Sequence, residues 1–361
     1  MAKVYVGMSG GVDSSLTAAL LVQQGYEVVG VYMKNWTQDA PGMQCPWAED
    51  LADAKRVAVH LSIPFKVFDF QAEYKQLVVD YMIREYQAGR TPNPDIMCNQ
   101  EVKFGLFLQA ALADGADLIA TGHYARSDGS KLLRAANEDK DQTYFLYRVD
   151  GSAVAKTIFP IGNYKTKDEV RTKAAEFGLS TAGKHDSQGI CFIGTVSIRD
   201  FLKQYVKTEP GDIIERESGR VLGRHDGALF YTFGQRHGLN VGGGLPYYVV
   251  GKDMAKNEVY VSRNLNSQGF WLDEIAVSQL HWINQPPIEG KTYQIRTRHR
   301  APLIDATVSF VQSNQNEVSG EPAVSLDSLV LHLSTPERAV APGQSVVIYD
   351  GDEVLGGGIV V

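Results

Sequence analysis

The residues best suited to chemistry fall in three short strings. The first, Met8-Ser9-Gly10-Gly11-Val12-Asp13-Ser14-Ser15, follows the apolar run Val4-Tyr5-Val6 and Gly7, and precedes Leu16, Ala18, Ala19, Leu20 and Leu21. This spacing predicts a strand, a tight turn and a helix. Gly10 and Gly11 permit a sharp turn and a close backbone approach to a ligand. The helix start offers unpaired N–H groups and a positive dipole end, so an anion is its natural occupant, with serine hydroxyls as further donors. The Gly-Lys-Ser/Thr ending of a P-loop is missing, so a phosphate would be held in a different way.

The other two strings each carry a cysteine. Cys98 ends Gly89-Arg90-Thr91-Pro92-Asn93-Pro94-Asp95-Ile96-Met97-Cys98-Asn99, and Cys191 lies in Asp186-Ser187-Gln188-Gly189-Ile190-Cys191-Phe192-Ile193-Gly194. Two prolines and an asparagine are expected to hold the first segment out of regular structure, with Asp95 three residues before the thiol. A cysteine outside a disulfide is most often a small buried apolar residue. Two rigid polar loop contexts, in a chain with a phosphate-holding loop, point instead to thiol chemistry. Cys45, followed by Pro46-Trp47, has no such context. With three cysteines and no C-x-x-C pair, neither a zinc ribbon nor a thioredoxin motif is evident.

The elements that must position these strings alternate. Lys3–Val6, Val28–Met33, Phe65–Phe70 and Asp117–Thr121 read as strands. Ser14–Gln24, Glu49–Leu61, Glu73–Ala88 and Glu101–Ala113 read as helices. This order predicts an α/β fold: a Rossmann-like parallel sheet with its site at the strand C-terminal ends. From about Pro210 turns separate short alternating runs: Val249-Val250, Val259–Val261, Thr292–Arg296, Ala306–Phe310 and Val346–Tyr349. The expected organisation is a catalytic domain over 1–200, a small mixed central domain over 201–270, and a C-terminal β-barrel-like domain over 271–361.

Two or three domains also suit 361 residues. No apolar run approaches the roughly twenty residues of a membrane span, and the N-terminus enters a strand directly, so a cytoplasmic protein is expected. Few cysteines argue against a secreted disulfide scaffold. A net charge of −7 does not suggest a general polyanion binder and does not exclude a specific nucleic-acid partner. Lys165, Lys167, Arg171, Lys173 and Lys184, and separately Arg296, Arg298, His299 and Arg300, form basic regions suited to RNA or to solvent.

The loop string resembles the pyrophosphate loop of the ATP pyrophosphatases, which cleave ATP between the α and β phosphates and adenylate a carbonyl oxygen. Over essentially the whole chain, the sequence resembles the tRNA-specific 2-thiouridylases of that group. The resemblance is carried by Gly7–Ser14, Asn35-Trp36, Asp50–Ala54 and Gly89–Asn99. It continues through Ala120-Thr121-Gly122-His123-Tyr124, Lys140–Leu146, Lys184–Gly194, Phe233-Gly234-Gln235-Arg236 and Pro342-Gly343-Gln344.

The resemblance implies that O2 of the wobble uridine of a tRNA is adenylated and replaced by sulfur, giving 2-thiouridine, AMP and pyrophosphate. Gly7, Met8, Ser9, Gly10, Gly11, Val12, Asp13 and Ser14 would hold ATP, with Met33 and Gly122 on the adenine and ribose side. Mg²⁺ would accompany ATP, with Asp13 or another carboxylate as its ligand. Cys191 would carry a persulfide received from a cysteine desulfurase or a relay protein. Its terminal sulfur would attack the activated C2 or be released as hydrosulfide to do so, and Cys98 would attack the inner sulfur to give a Cys98–Cys191 disulfide, with Asp95 as acid/base group. Asn93, Pro94 and Asp95 would meet the flipped base. His123, Lys140, Asp141, Gln142, Arg298, His299 and Gln344 would contact the tRNA, expected to be those for lysine, glutamate and glutamine. The protein is expected to be a monomer. Three other readings stand beside this one: an amide- or amidine-forming synthetase on the same loop; an iron–sulfur cluster held by Cys45, Cys98, Cys191 or Asp95; and a non-enzymatic tRNA or nucleotide sensor.

Overall fold

Val4, Tyr5 and Val6 lie on β1 (Lys3–Gly7), the central strand of a five-stranded parallel sheet. The chain is described by a computed structural model over residues 1–39, 45–185, 197–242, 245–264, 270–311 and 328–361. β1 is followed by helix α1 (Val12–Gln23), β2 (Glu27–Lys34), α2 (Trp47–His60) and β3 (Phe65–Asp69), and later by β4 (Leu118–Ala120), the hairpin β5 (Arg126–Asp128) and β6 (Lys131–Leu133), and β7 (Thr157–Ile158). The strand order is β3-β2-β1-β4-β7, with Val4 paired to Val28 on one side and to Leu118 on the other. The order reverses between β1 and β4. That switch point opens a crevice at the strand C-terminal ends, where open α/β sheets take ligands.

Alternation along the strands divides the core. Tyr5, Val29, Val31 and Ile119 pack with the helical segment 71–113, whereas Val4, Val6, Val28 and Ala120 pack with α1, α2 and the helix Lys167–Glu176. Both faces are covered, so β1 reads as a continuous apolar run.

The central region forms a four-stranded sheet, β10-β11-β8-β9, from β8 (Gly211–Glu215), β9 (Val221–His225), β10 (Tyr248–Asp253) and β11 (Glu258–Ser262). The C-terminal region is an antiparallel barrel: β12 (Trp271–Trp282), β13 (Thr292–Arg296), β14 (Ile304–Phe310), β15 (Ser328–Arg338), β16 (Ser345–Asp350) and β17 (Glu353–Val360). Pairing of β12 with both β15 and β17 closes it, which leaves fewer open sheet edges. The hairpin β5–β6 adds to this sheet, Leu132 opposite Val354, so the N-terminal region reaches into the barrel. No helix among the described residues is long and apolar enough to cross a membrane.

One expectation fails. The segment before Cys98 is not wholly irregular: a helix starts at Pro94, and the α-helical turn Pro94–Met97 runs into a π-helical stretch, Cys98–Leu106. The physical reason is the pair Asn93-Pro94. Asn93 Oδ1 accepts the Asp95 N–H at 3.1 Å as N-cap, and proline at the first helical position gives up an N–H that would be orphaned anyway.

Candidate active site

The loop after β1 is shaped by close packing. Gly10 has φ of +78°, and a Cβ there would lie 2.4 Å from the Asp50 carbonyl oxygen of α2. Ser14 Oγ donates to the Gly11 carbonyl at 3.1 Å and accepts the Ser9 N–H at 3.1 Å. Gly11, as N-cap of α1, brings no side-chain acceptor to the first helical turn, which suits a ligand anion there. From β4, Gly122 presses on the same turn: a Cβ at 122 would sit 2.7 Å from the Ser14 nitrogen. Met33 closes the other side, its Cε 3.0 Å from where a Gly7 Cβ would stand. Gly7, Gly10, Ser14, Met33 and Gly122, all expected to hold ATP, therefore lie close together around the loop after β1.

Charge in the crevice is balanced by side chains from distant sequence. Lys167 Nζ lies 2.8 Å from both Asp13 carboxylate oxygens, and the Tyr124 hydroxyl donates to Asp13 Oδ1 at 3.1 Å. Behind the loop, Lys184 Nζ bridges Asp50 at 2.7 Å and Asp53 at 2.6 Å on α2, while Arg56 pairs with Asp53. Partial burial alone would lower the Lys184 pKa, but hydrogen bonds to Asp50 and Asp53 hold it above the usual value. Burial likewise opposes ionisation of Asp53, yet Lys184 and Arg56 hold its carboxyl below the usual range. Lys167 thus pairs with the loop itself and Lys184 with α2 behind it, rather than forming one outer basic face. The sequence reading missed this because it grouped them with Arg171 and Lys173 by charge alone.

The segment before Cys98 is gripped by all three regions. Arg90 makes a two-point pair with Glu85, at 2.5 and 2.6 Å. A Cβ on Gly89 would strike Met254 at 2.7 Å, and Thr91 Oγ1 donates to Thr232 Oγ1 at 3.2 Å. The Thr91 N–H donates to the Pro342 carbonyl at 3.0 Å, and Gly343, with φ of +88°, abuts Arg90 and Thr91. Cys98 itself is buried. His123 connects this helix to the crevice: its ring is 5.7 Å from that of Phe104 and its Nδ1 is 2.9 Å from Thr121 Oγ1. Burial, and then the nearby Lys103 charge, push the His123 pKa well below the usual value, so the ring is neutral at pH 7.

The barrel brings its residues to the same place. Asn99 Nδ2 donates to the Phe145 carbonyl at 3.0 Å, and the Phe145 ring stands 4.5 Å from that of His299. Tyr144 donates to the Ser345 carbonyl at 2.9 Å, next to Gln344. Arg298 is exposed and pairs with Glu337 at 3.1 Å. Lys140 and Gln142 flank Asp141, but Asp141 is buried. Its carboxylate accepts the Thr143 hydroxyl at 2.8 Å and meets Arg296 Nη1 at 3.2 Å. The structure thus places the Asp141 side chain inside the joint, not on a surface open to RNA.

Cys191 lies outside the described residues. Cys45 is half-buried, with its thiol 3.7 Å from the Trp36 carbonyl; burial raises its pKa, against a hydrogen bond with the Trp47 backbone that lowers it. Among the described residues, no group of three His, Cys, Asp or Glu side chains is placed to hold a metal ion.

Comparison with known proteins covers the whole chain. Residues 2–195 match the family described as tRNA methyl transferase HUP domain, 199–263 the tRNA methyl transferase PRC-barrel domain, and 272–360 the aminomethyltransferase beta-barrel domain. The tRNA-specific 2-thiouridylase MnmA of Bacillus subtilis (strain 168) is 44% identical over 363 residues, covering 99% of this chain and 94% of the relative. The protein of that name from Pseudomonas aeruginosa (strain UCBPP-PA14) is 46% identical over 367 residues, with the same coverage. A solved 4-thiouridine synthetase–RNA complex with bound ATP aligns at TM-score 0.37 and 18% identity, over 57% of this chain and 50% of that one.

Proposed function

The chain belongs to the tRNA-specific 2-thiouridylase family, and on that premise we propose how its residues carry out ATP-dependent formation of 2-thiouridine in tRNA. A uracil C2 carbonyl is a weak electrophile with a poor leaving group. Transfer of AMP from ATP to O2 makes the oxygen a good leaving group and releases pyrophosphate. Gly7–Ser14 hold the phosphates by backbone N–H groups at the start of α1. Met33 and Gly122 border the adenine and ribose. Mg²⁺, when bound with ATP, offsets phosphate charge. Asp13 would be the residue to hold that ion, its carboxylate now being paired with Lys167.

Sulfur arrives on Cys191 as a persulfide, from a cysteine desulfurase or a relay protein. Its terminal sulfur attacks C2 and displaces AMP with the original oxygen. The Cys98 thiolate attacks the inner sulfur, leaving a Cys98–Cys191 disulfide that an outside thiol reopens. Asp95, in the first turn of the helix that carries Cys98, moves the proton between thiol and base. The uridine must leave its stack to be reached. Asn93 and Pro94 then border the flipped base, and His123, Lys140, Gln142, Arg298, His299 and Gln344 line the path of the anticodon arm. Asp141 serves by fixing Thr143 and Arg296 behind them. We extend the reading to the tRNAs for lysine, glutamate and glutamine, and to a monomeric protein.

One observation carries the arrangement: Gly122 packs on the Ser14 nitrogen, while the next residue, His123, packs on Phe104 of the helix that begins beside Cys98. This packing links the nucleotide loop to the helical stretch that carries Cys98, and so supports the reading. A methyl-transfer reading, suggested by the description of the family domains, gives neither cysteine a task. The test is incubation of unmodified tRNA with the protein, ATP, Mg²⁺ and a sulfide source. Wobble 2-thiouridine with stoichiometric AMP is expected. A methylated uridine, or AMP formed on another acceptor, would overturn the reading.

A further inference from the structure

Tyr124 is buried, and its two ends serve different sites. Its hydroxyl donates to Asp13 Oδ1 at 3.1 Å. Its backbone N–H donates to Gln142 Oε1 at 2.9 Å, and its carbonyl accepts the Gln142 N–H at 3.0 Å. One side chain therefore touches the nucleotide loop while its own backbone is clamped on both sides to the segment 140–142. That segment is in turn fixed to the barrel through Asp141 and Arg296 of β13. At the other end, Asp13 divides its carboxylate between the Tyr124 hydroxyl and the Lys167 ammonium.

A triphosphate entering beside this carboxylate–ammonium pair changes the charge that Asp13 feels. Either Lys167 turns toward the phosphates or Asp13 turns away from them, and in both cases the Asp13 carboxylate that the Tyr124 hydroxyl bonds changes its surroundings. A phenylalanine would fill the same space and lack only the hydroxyl that bonds Asp13. We propose that Tyr124 is a positioning residue that couples nucleotide in the loop to the tRNA grip of residues 140–142. The inference rests on the tRNA reading given above and adds a linkage to it. By thermodynamic reciprocity, nucleotide must tighten tRNA by the same factor as tRNA tightens nucleotide.

The experiment measures binding of unmodified tRNA to the full chain by fluorescence anisotropy, with and without α,β-methylene ATP and Mg²⁺. This analogue cannot release pyrophosphate. The wild-type protein is expected to bind tRNA at least about fivefold more tightly with the analogue. Tyr124→Phe is expected to bring that ratio to about one. A merely structural role would lower Tm and weaken both ligands while leaving the ratio intact. Gln142→Met, which removes the acceptor at the other end, is expected to lower the ratio as well and serves if Tyr124→Phe does not fold. A wild-type ratio of one, or a wild-type ratio retained in both variants, overturns the proposal while tRNA binding stands. A wild-type protein that binds no tRNA overturns the functional reading itself.

Discussion

Gly122→Ala is the sharpest perturbation of the nucleotide crevice. The added Cβ would lie 2.7 Å from the Ser14 nitrogen, 2.8 Å from the Asp13 carbonyl carbon and 3.1 Å from Asp13 Cβ. Ordinary contact begins near 3.4 Å, so the first turn of α1 must retreat from β4 by about 0.7 Å (3.4 − 2.7). Two of the three atoms are backbone within a helix, so no rotamer change relieves them. Gly122 does not sit at positive φ, so the effect comes from displacement rather than from an alanine's backbone strain. Overpacking of this kind costs about 1–3 kcal/mol of stability. A misplacement approaching 1 Å at a site that works by positioning costs up to about a hundredfold in rate. ATP titration with tRNA-dependent AMP release as readout should show a 10- to 100-fold loss in kcat/KM, roughly, with the fold retained by circular dichroism. Gly129→Ala, at φ of +58° with nothing within 4 Å of its Cβ, is the comparison that carries backbone strain without the clash. AMP release by Gly122→Ala within twofold of the wild type would refute the packing argument.

Other outcomes follow from the same structure. Asp141→Ala should destabilise by about 3–5 kcal/mol in urea unfolding, because it leaves Arg296 buried without its partner. Gly343→Ala should weaken tRNA binding while sparing the ATP analogue, because its Cβ would sit 2.7 Å from the Thr91 nitrogen on the thiol side of the joint; equal loss of both ligands would contradict this. Burial, then nearby Arg300, depress the His299 pKa to about 4. The folded ring stays neutral while an unfolded one protonates below pH about 6.5. Stability from this group is therefore complete above pH 6.5 and falls as pH drops toward 4, where the unfolded state binds more protons. Thermal melts of the wild type and His299→Gln over that window should show the shallower slope in the variant.

Much of the fold was legible because its signals are local. The apolar run at Val4–Val6 and the Gly10-Gly11 turn announce a strand and a helix start by sterics alone, and the structure has both. The barrel was legible as short alternating runs; its closure through β12 and β17 was not, because register depends on contacts far apart in sequence. The hairpin β5–β6 went unread: its two strands of three residues each are stabilised by pairing with β17, not by their own pattern. The Asn93-Pro94 pair carries both loop and helix-start signals, since prolines break regular structure but an asparagine cap followed by proline opens a helix. Lys167 and Lys184 could not be placed from sequence, since their carboxylate partners lie more than 130 positions away. Asp141 illustrates the converse: flanked by Lys140 and Gln142, it looks like a surface residue, and only the fold shows Arg296 beneath it.

The central claim is that one adenylation and one two-cysteine sulfur relay occur in the same pocket. A single turnover tests it most directly. The protein is loaded with persulfide, freed of reductant, and mixed with unmodified tRNA, ATP and Mg²⁺. Nucleosides and non-reduced peptides are then read by mass spectrometry. The account predicts one 2-thiouridine and one AMP per loaded protein, with a Cys98–Cys191 disulfide peptide that Cys98→Ser cannot form. 2-Thiouridine formed without that disulfide, or full thiolation by Cys98→Ser, would contradict it.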